Sequence, residues 1–464
     1  MIPLRLTDIA RVTGGVHHGE DVVVDGPVVT DSREAAAGSL YVARVGEAAD
    51  GHAFTGAARD RGAVAALTTR EVDELPCVVV PDIQDGFAAL ARHLIDASPD
   101  LTVIGITGSS GKTSTKDLIA SVLSGCGETV ATEASLNGEV GVPLTICRIT
   151  PTTRTLVLEM GARGIGHIAY LTQVAPPRIG VVLNVGTAHV GEFGSREAIG
   201  RAKSELVREL PADGLAVLNA DDPVVAGMAE VTRARVVRFG SASGADVRAE
   251  DVALDDAGRA GFTLVTAQGR VPVQLGLYGE HHVSNALAAA AVALETGMPL
   301  ADVAAALTAA RPASRHRMEV HERPDGVTLV NDAYNANPDS MRAALKALVA
   351  MGHGRRTWAV LGEMLELGEE STVEHDAVGR LAVRLNVSRL VVVGEGARAM
   401  DSGARQEGSW GQESTWVPDA DAAYALLQRE LEPGDVVLLK SSNAAGLRWL
   451  GDRLVGGTDS EVSS

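Results

Sequence analysis

Cysteine is scarce in this chain of 464 residues: Cys77, Cys126 and Cys147 are odd in number, widely spaced and free of CxxC patterns. A disulfide framework and a cysteine-based zinc site are thereby excluded, and reduced thiols point to a cytoplasmic setting. Long apolar runs are also missing. The most apolar stretch, residues 286–294, is too short to span a bilayer, and the N-terminal residues lack a signal-peptide core, so no membrane insertion is expected. Positive charge is in deficit as well. Forty-one Lys and Arg against 60 Asp and Glu leave a net charge of -19, which argues against nonspecific binding to nucleic acid or anionic lipid. Any anionic ligand must therefore meet a local basic site.

What the chain does have is length and 45% hydrophobic residues, enough for two or three packed domains. Residues 1–99 mix short β-rich runs such as 76–80 with helical patches such as 87–95, and read as a small α/β domain. Residues 100–312 alternate apolar strands with helices, the pattern of a mostly parallel sheet with crossovers. Within them, 235–273 predicts a small antiparallel excursion. Residues 313–455 restart with strands at 327–330, 358–361, 390–393 and 436–439, predicting a Rossmann-like third domain. The tail 456–464 is small, polar and acidic, and disorder is expected there.

The most informative segment joins the apolar strand 101–107 to Gly108, Ser109, Ser110, Gly111, Lys112, Thr113 and Ser114, and then to a helical pattern ending near Leu123. Strand, glycine loop and helix in this order form a phosphate cradle. Backbone N–H groups converge on phosphate oxygens, Lys112 reaches the terminal phosphates, and Thr113 offers a hydroxyl to Mg²⁺. Only two residues separate the glycines, which departs from the four-residue spacing of ordinary P-loops. The shorter form argues against a GTPase switch and resembles the ATP loop of the Mur ligases and folylpolyglutamate synthetase.

Ligands of open α/β sheets collect beyond the carboxyl ends of strands, so polar residues there are the next candidates. Residues 156–158 run into Glu159, and 179–183 lead through Asn184 to His189; with Thr113 these are candidate Mg²⁺ ligands, although a strand-end Glu also serves as an ion-pair partner and a loop His also stays merely solvated. Lys203, in a helical segment, reads by composition as a surface lysine. Asn285 opens an alanine-rich helix and can either cap it or read an adenine edge. In 330–338, Asn337 and Pro338 suit the start of a helix. That duty leaves Asp332, Tyr334 and Asn335 unexplained, a polar group able to hold ribose, phosphate or an incoming amine.

Taken in order, TGSSGKT at 107–113, SLNGEVGVP at 135–143, LEMGA at 158–162, NVGTAHVGEFGS at 184–195, AKSEL at 202–206, HHVSNALAA at 281–289 and NDAYNANPDSM at 331–341 resemble the Mur ligases over nearly the whole chain. The loop TGSSGKTSTKD, the NANP run and GEMLELG at 362–368 look most like the branch that joins D-alanyl-D-alanine to UDP-N-acetylmuramoyl-tripeptide. The DNPR acceptor motif of the diaminopimelate-adding branch is absent. The resemblance implies an α/β chain of three domains, with a central ATPase sheet flanked by a UDP-substrate domain and a Rossmann-like ligase domain. It implies ATP and two Mg²⁺ as cofactors, with Thr113 and Glu159 on one ion and His189 on the other. It also implies a carbamylated Lys203, and places His281, Asn285, Arg317 and Asp332 on the nucleotide. Ser32, in a DSR motif at 31–33, and Asn137 fall on the UDP-peptide; Tyr334, Asn335 and Asn337 are further substrate contacts, Lys112, Lys203 and His189 are catalytic, and a monomer is expected.

The implied chemistry phosphorylates the tripeptide carboxylate and then passes the acyl group to the amine of the dipeptide, releasing ADP and phosphate. The sequence departs from the family pattern at Gly138, in place of a second asparagine, at His316, in place of a glycine, and at Asn443, in place of an arginine. The last removes a carboxylate fork, which leaves a paralogue using another dipeptide open. A reading from another class is a nucleotide-binding switch that hydrolyses ATP slowly without ligation.

Overall fold

The computed structural model describes residues 1–46, 49–186, 190–408 and 413–456. Three large sheets follow one another along the chain. The first has five strands in the spatial order Val16–His18, Cys77–Val79, Ala63–Thr68, Ser39–Val42 and Val28–Val29, parallel except at its first edge. A nine-stranded sheet occupies the middle, and a six-stranded sheet closes the chain, parallel except for its edge strand Glu319–Glu322. Among the described residues no helix is long and apolar enough to cross a membrane.

The strand Thr102–Thr107 lies inside the nine-stranded sheet between Ile179–Val182 and Thr153–Glu159. Its near-continuous apolar run fits a parallel strand covered on both faces. Val103 faces a core shared with Leu156, Leu158 and Ile168, whereas Ile104 and Ile106 face a second core under the helix His282–Glu295. The alanines of that helix allow it to lie close to the sheet and to the helix Lys112–Leu123. The first of these cores continues without a break into Phe87, Leu90 and Leu94 of the helix Ile83–Asp96, which covers the N-terminal sheet. The C-terminal sheet has its own core on each face, with Val330, Ala359 and Leu438 on one and Leu329, Trp358 and Leu439 on the other.

The antiparallel excursion differs from its expected form. Arg235–Gly240 pairs in parallel with Leu215–Asn219, and antiparallel pairing starts only with Val247–Leu254 and extends through Gly269–Tyr278. These strands continue the nine-stranded sheet. Alternation along a strand reports one face turned to solvent, and says nothing of the direction of its neighbour.

At the C-terminal end, Gly456 is the last residue of the helix Leu447–Gly456, and the rest of the proposed tail, 457–464, lies outside the described residues.

Candidate active site

The carboxyl end of Thr102–Thr107 opens into a cavity of about 1050 Å³ whose walls come from both the nine-stranded and the six-stranded sheets. Gly111 turns the phosphate loop with φ +79°, and a Cβ there would lie 2.7 Å from the side-chain oxygen of Asn285. Only glycine meets both conditions. The helix Lys112–Leu123 then begins without a side-chain cap, leaving its first N–H groups for an anion. Asn184 braces the loop: its Oδ1 accepts from Ser110 N at 2.9 Å, its carbonyl from Ser109 N at 3.1 Å, and its Nδ2 donates to Ser110 O at 3.1 Å. Lys112 folds back to donate to Gly108 O at 2.7 Å. Its pKa is lowered by burial and by Arg317, against the raising influence of Glu159.

Glu159, buried at the end of its strand, accepts from Thr113 Oγ1 on one oxygen and from Asn137 Nδ2 on the other, both at 2.8 Å. Its hydrogen-bond partners among the described residues are thus neutral, and its charge acts on Lys112 at longer range. The hydroxyl and carboxylate present two hard oxygen donors beside the loop, a set that suits Mg²⁺ completed by phosphate and water. Among the described residues no group of three His, Cys, Asp or Glu side chains forms a ready-made metal cluster. His189 lies outside the described residues.

Lys203 is not a surface lysine. It is 3% exposed, on the helix Arg196–Arg208 packed against the sheet, and its amine has no hydrogen-bond partner among the described residues. Burial first, and then the charge of Lys112, bring its pKa down to about 7. A neutral amine is therefore available near neutral pH.

From the C-terminal sheet, Asp332 and Lys440 meet across 108 residues of sequence, Lys440 Nζ lying 2.6 Å from Asp332 Oδ2 and 3.0 Å from Asn335 O. Asp332 Oδ1 also accepts from Met318 N at 3.0 Å. Arg317 stacks over Tyr334 at 4.6 Å and donates to Ser135 Oγ at 3.3 Å, touching both sheets' loops. Asn337 caps the helix Pro338–Gly352 in a capping box with Ser340, and its Nδ2 lies 3.5 Å from Ser109 O of the phosphate loop. His281 is pushed down to about 4 by burial and by Lys440, and is neutral at physiological pH.

The cavity thus gathers Ser109 through Ser114, Asn137, Glu159 and Lys203 with His281, Asn285, Arg317, Asp332, Tyr334, Asn335 and Asn337. Gly108 sits behind the wall, as the acceptor for Lys112. Ser32 is not on it; the residue is buried in a short turn of the N-terminal sheet region, where Asp31 accepts from Arg33 N. Asn285 is not a cap either. Its helix starts at His282, which puts Asn285 in the first turn and aims its amide at Gly111. Gly138 and Asn443 also line the cavity. His316 has φ +57°, in the region that favours glycine, and its ring is tied to Asp452 at 3.0 Å. Two residues escaped the sequence reading. Lys440 gives no local signal, since its partner Asp332 lies 108 residues away, whereas for Asn184 an Asn that ends a strand beside a glycine loop is the available signal.

Comparison with known proteins adds the family. Residues 106–293 match the Mur ligase middle domain, and 316–443 match the Mur ligase glutamate ligase domain. The chain is 51% identical to the UDP-N-acetylmuramoyl-tripeptide–D-alanyl-D-alanine ligase of Mycobacterium tuberculosis, over 98% of both chains. A structure of UDP-N-acetylmuramoylalanyl-D-glutamyl-2,6-diaminopimelate–D-alanyl-D-alanyl ligase from Acinetobacter baumannii superposes with a TM-score of 0.84 at 31% identity, covering 97% of this chain and 98% of that one. MurF ligase from Thermotoga maritima, solved with ADP, superposes with a TM-score of 0.77 at 29% identity, covering 91% and 96%. Sequence, fold and cavity agree, and the chain belongs to the Mur ligase family.

Proposed function

We propose that this protein is an ATP-dependent ligase that joins D-alanyl-D-alanine to UDP-N-acetylmuramoyl-tripeptide, forming a C–N bond in cytoplasmic peptidoglycan precursor synthesis. The observation that carries this reading is one cavity in which the phosphate loop and the Thr113–Glu159 oxygen pair face the polar strand ends of the C-terminal sheet. Such a site brings a nucleotide triphosphate against an acid and an amine held by a different part of the chain. A nucleotide switch has no use for the second wall.

In this reading the terminal carboxylate of the tripeptide takes the γ-phosphoryl group of ATP, and the amine of the dipeptide then displaces phosphate from the acyl phosphate. Lys112, released from Gly108 O, neutralises the charge between the two anions. Thr113 and Glu159 would hold one Mg²⁺ and His189 a second; bound Mg²⁺ would supply charge neutralisation at the phosphates. Lys203, as a carbamate, would present an anion where it now presents a buried amine. His281 and Asn285 would face adenine, and Arg317 and Asp332 the rest of the nucleotide. Asn137 and, from the N-terminal sheet, Ser32 would engage the UDP-peptide, while Tyr334, Asn335 and Asn337 would lie toward the acceptor. The work divides among residues 1–99, 100–312 and 313–455, in a monomer. Lys112 and Asp332 stand on different sheets, so water is excluded from the acyl phosphate only when both walls are in place.

The test is release of ADP and phosphate from ATP with UDP-N-acetylmuramoyl-tripeptide, with and without D-alanyl-D-alanine, beside D-alanyl-D-lactate. Release that requires D-alanyl-D-alanine and yields a UDP-pentapeptide supports the ligase. Preference for the lactate analogue would shift the acceptor, consistent with Asn443 on the wall where the family pattern has arginine. Release indifferent to both would overturn the reading.

A further inference from the structure

The loop 160–166 leaves the strand that ends in Glu159 and puts the cation Arg163 on the cavity wall, beside His167 at the start of the next helix, and the chemistry above uses neither. The loop is firmly built. Met160 N donates to Ile106 O and Gly161 N to Asn137 O, both at 2.8 Å. At the other end the buried carboxylate of Glu205 accepts from Gly166 N at 2.6 Å and Ala169 N at 3.0 Å, capping the helix His167–Val174. Glu205 stands two residues beyond Lys203 on the same helix. On this held loop the guanidinium of Arg163 has no hydrogen bond or ion pair among the described residues, in a chain whose acidic residues outnumber its basic ones 60 to 41.

Placement decides which anion it meets. Asn137 links Glu159, through its amide, to Gly161, through its carbonyl. Arg163 is two residues past Gly161, so its Cα lies within about 7 Å of that anchor. A donor peptide whose last carboxylate lies at a cation held by Thr113 and Glu159 has its preceding residue about 3.5 Å per residue farther out, within the reach of an arginine anchored two residues past Gly161. The diphosphate sits a whole peptide and a sugar away. The peptide of the Acinetobacter baumannii relative's name, alanyl-D-glutamyl-2,6-diaminopimelate, has carboxylates beyond the activated one. We propose that Arg163 pairs with a non-reacting carboxylate of the donor peptide, either the glutamyl one outside the peptide bond or the second diaminopimelyl one, and that Glu205 is the positioning residue of its loop. The planar guanidinium matches a carboxylate with two parallel hydrogen bonds. This rests on the ligase reading above.

The test uses the full chain with Mg-ATP, D-alanyl-D-alanine and three donors: the UDP-tripeptide with diaminopimelate, the same donor amidated at the glutamyl carboxylate, and the same donor amidated at the second diaminopimelyl carboxylate. Arg163→Gln is expected to raise the donor KM about tenfold or more, with kcat and the KM for ATP within about threefold of wild type. One amidated donor should show the same rise on the wild-type enzyme and no further rise on Arg163→Gln, which names the carboxylate. Arg163→Lys should recover part of the loss, and Glu205→Gln should give a smaller rise confined to the donor. An unchanged donor KM in Arg163→Gln overturns the proposal, as does a penalty undiminished on both amides, which would assign Arg163 to the diphosphate. Equal movement of kcat and every KM in Glu205→Gln would reduce that residue to a structural role. Failure of the wild-type enzyme to ligate any donor would instead refute the ligase reading beneath it.

Discussion

Glu159→Gln separates the catalytic duty of this carboxylate from its structural one. In the structure the two oxygens of Glu159 accept from Thr113 Oγ1 and Asn137 Nδ2 at 2.8 Å. A glutamine keeps both contacts, because its oxygen accepts from Asn137 while its NH₂ donates to the Thr113 hydroxyl, which turns to accept. The fold should therefore lose no more than about 1 kcal/mol. Glu159→Ala, by contrast, leaves a hydroxyl and an amide unpaired in a buried site, at about 1–3 kcal/mol each. Catalysis should respond differently. Loss of the negative charge removes the carboxylate bonded to Thr113, and an electrostatic element of that kind is worth roughly 3–4 kcal/mol in the transition state, or a 10²–10³-fold fall in kcat. Thermal denaturation and ADP release, measured on the same preparations, give both quantities. A Glu159→Gln enzyme with near-normal stability and kcat within threefold of wild type would refute the assignment of Glu159 to the phosphate-bound cation.

Lys203 titrates at about 7 in the fold against 10.5 when exposed, so between these values the unfolded chain binds the extra proton and stability rises with pH; below about 7 the penalty is present in full. Lys203→Met should accordingly stabilise the protein at pH 7 by up to a few kcal/mol, and the gain should fall to about 1 kcal/mol by pH 10 and vanish above about pH 11, as measured by denaturant unfolding in bicarbonate-free buffer. Lys203→Ala should lose ligation and regain part of it with short-chain carboxylates; full activity without rescue would make the lysine dispensable. Gly111→Ala meets both a positive φ and the Asn285 oxygen, and should weaken ADP binding at least tenfold by calorimetry.

The parts of the site that are contiguous in sequence were readable there. The phosphate loop depends on seven successive residues between a strand and a helix, and the capping duty of Asn337 on its immediate neighbours, so local rules sufficed. Lys440 was not readable, because its meaning comes from Asp332, which the parallel pairing of Thr328–Asn331 with Val436–Lys440 brings beside it. Lys203 looked like a surface residue because charge argues for exposure until a sheet is packed against its helix. Of the two duties open to Asn285, capping fails because the helix is capped four residues earlier, at His281, which turns the Asn285 side chain on the phosphate loop. The departure at His316 has a conformational account: a positive φ usually given to glycine is held here by a histidine anchored to Asp452.

The apolar core that runs without a break from Phe87, Leu90 and Leu94 into Leu156, Leu158 and Ile168 makes the first two sheets one mechanical platform. The C-terminal sheet touches the cavity's other wall through exchangeable polar contacts such as Arg317 to Ser135 and Asn337 to Ser109, with Tyr278 as an apolar contact. The cost of separating oil from oil grows with the apolar area exposed, whereas a few hydrogen bonds of this kind contribute only about 1 kcal/mol each. On the ligase reading proposed above, the parts that would handle the acid and the phosphate are welded together, and the part that would present the amine is latched. Such a build favours an order of events in which the acid is loaded and armed on the platform, and the latch engages last.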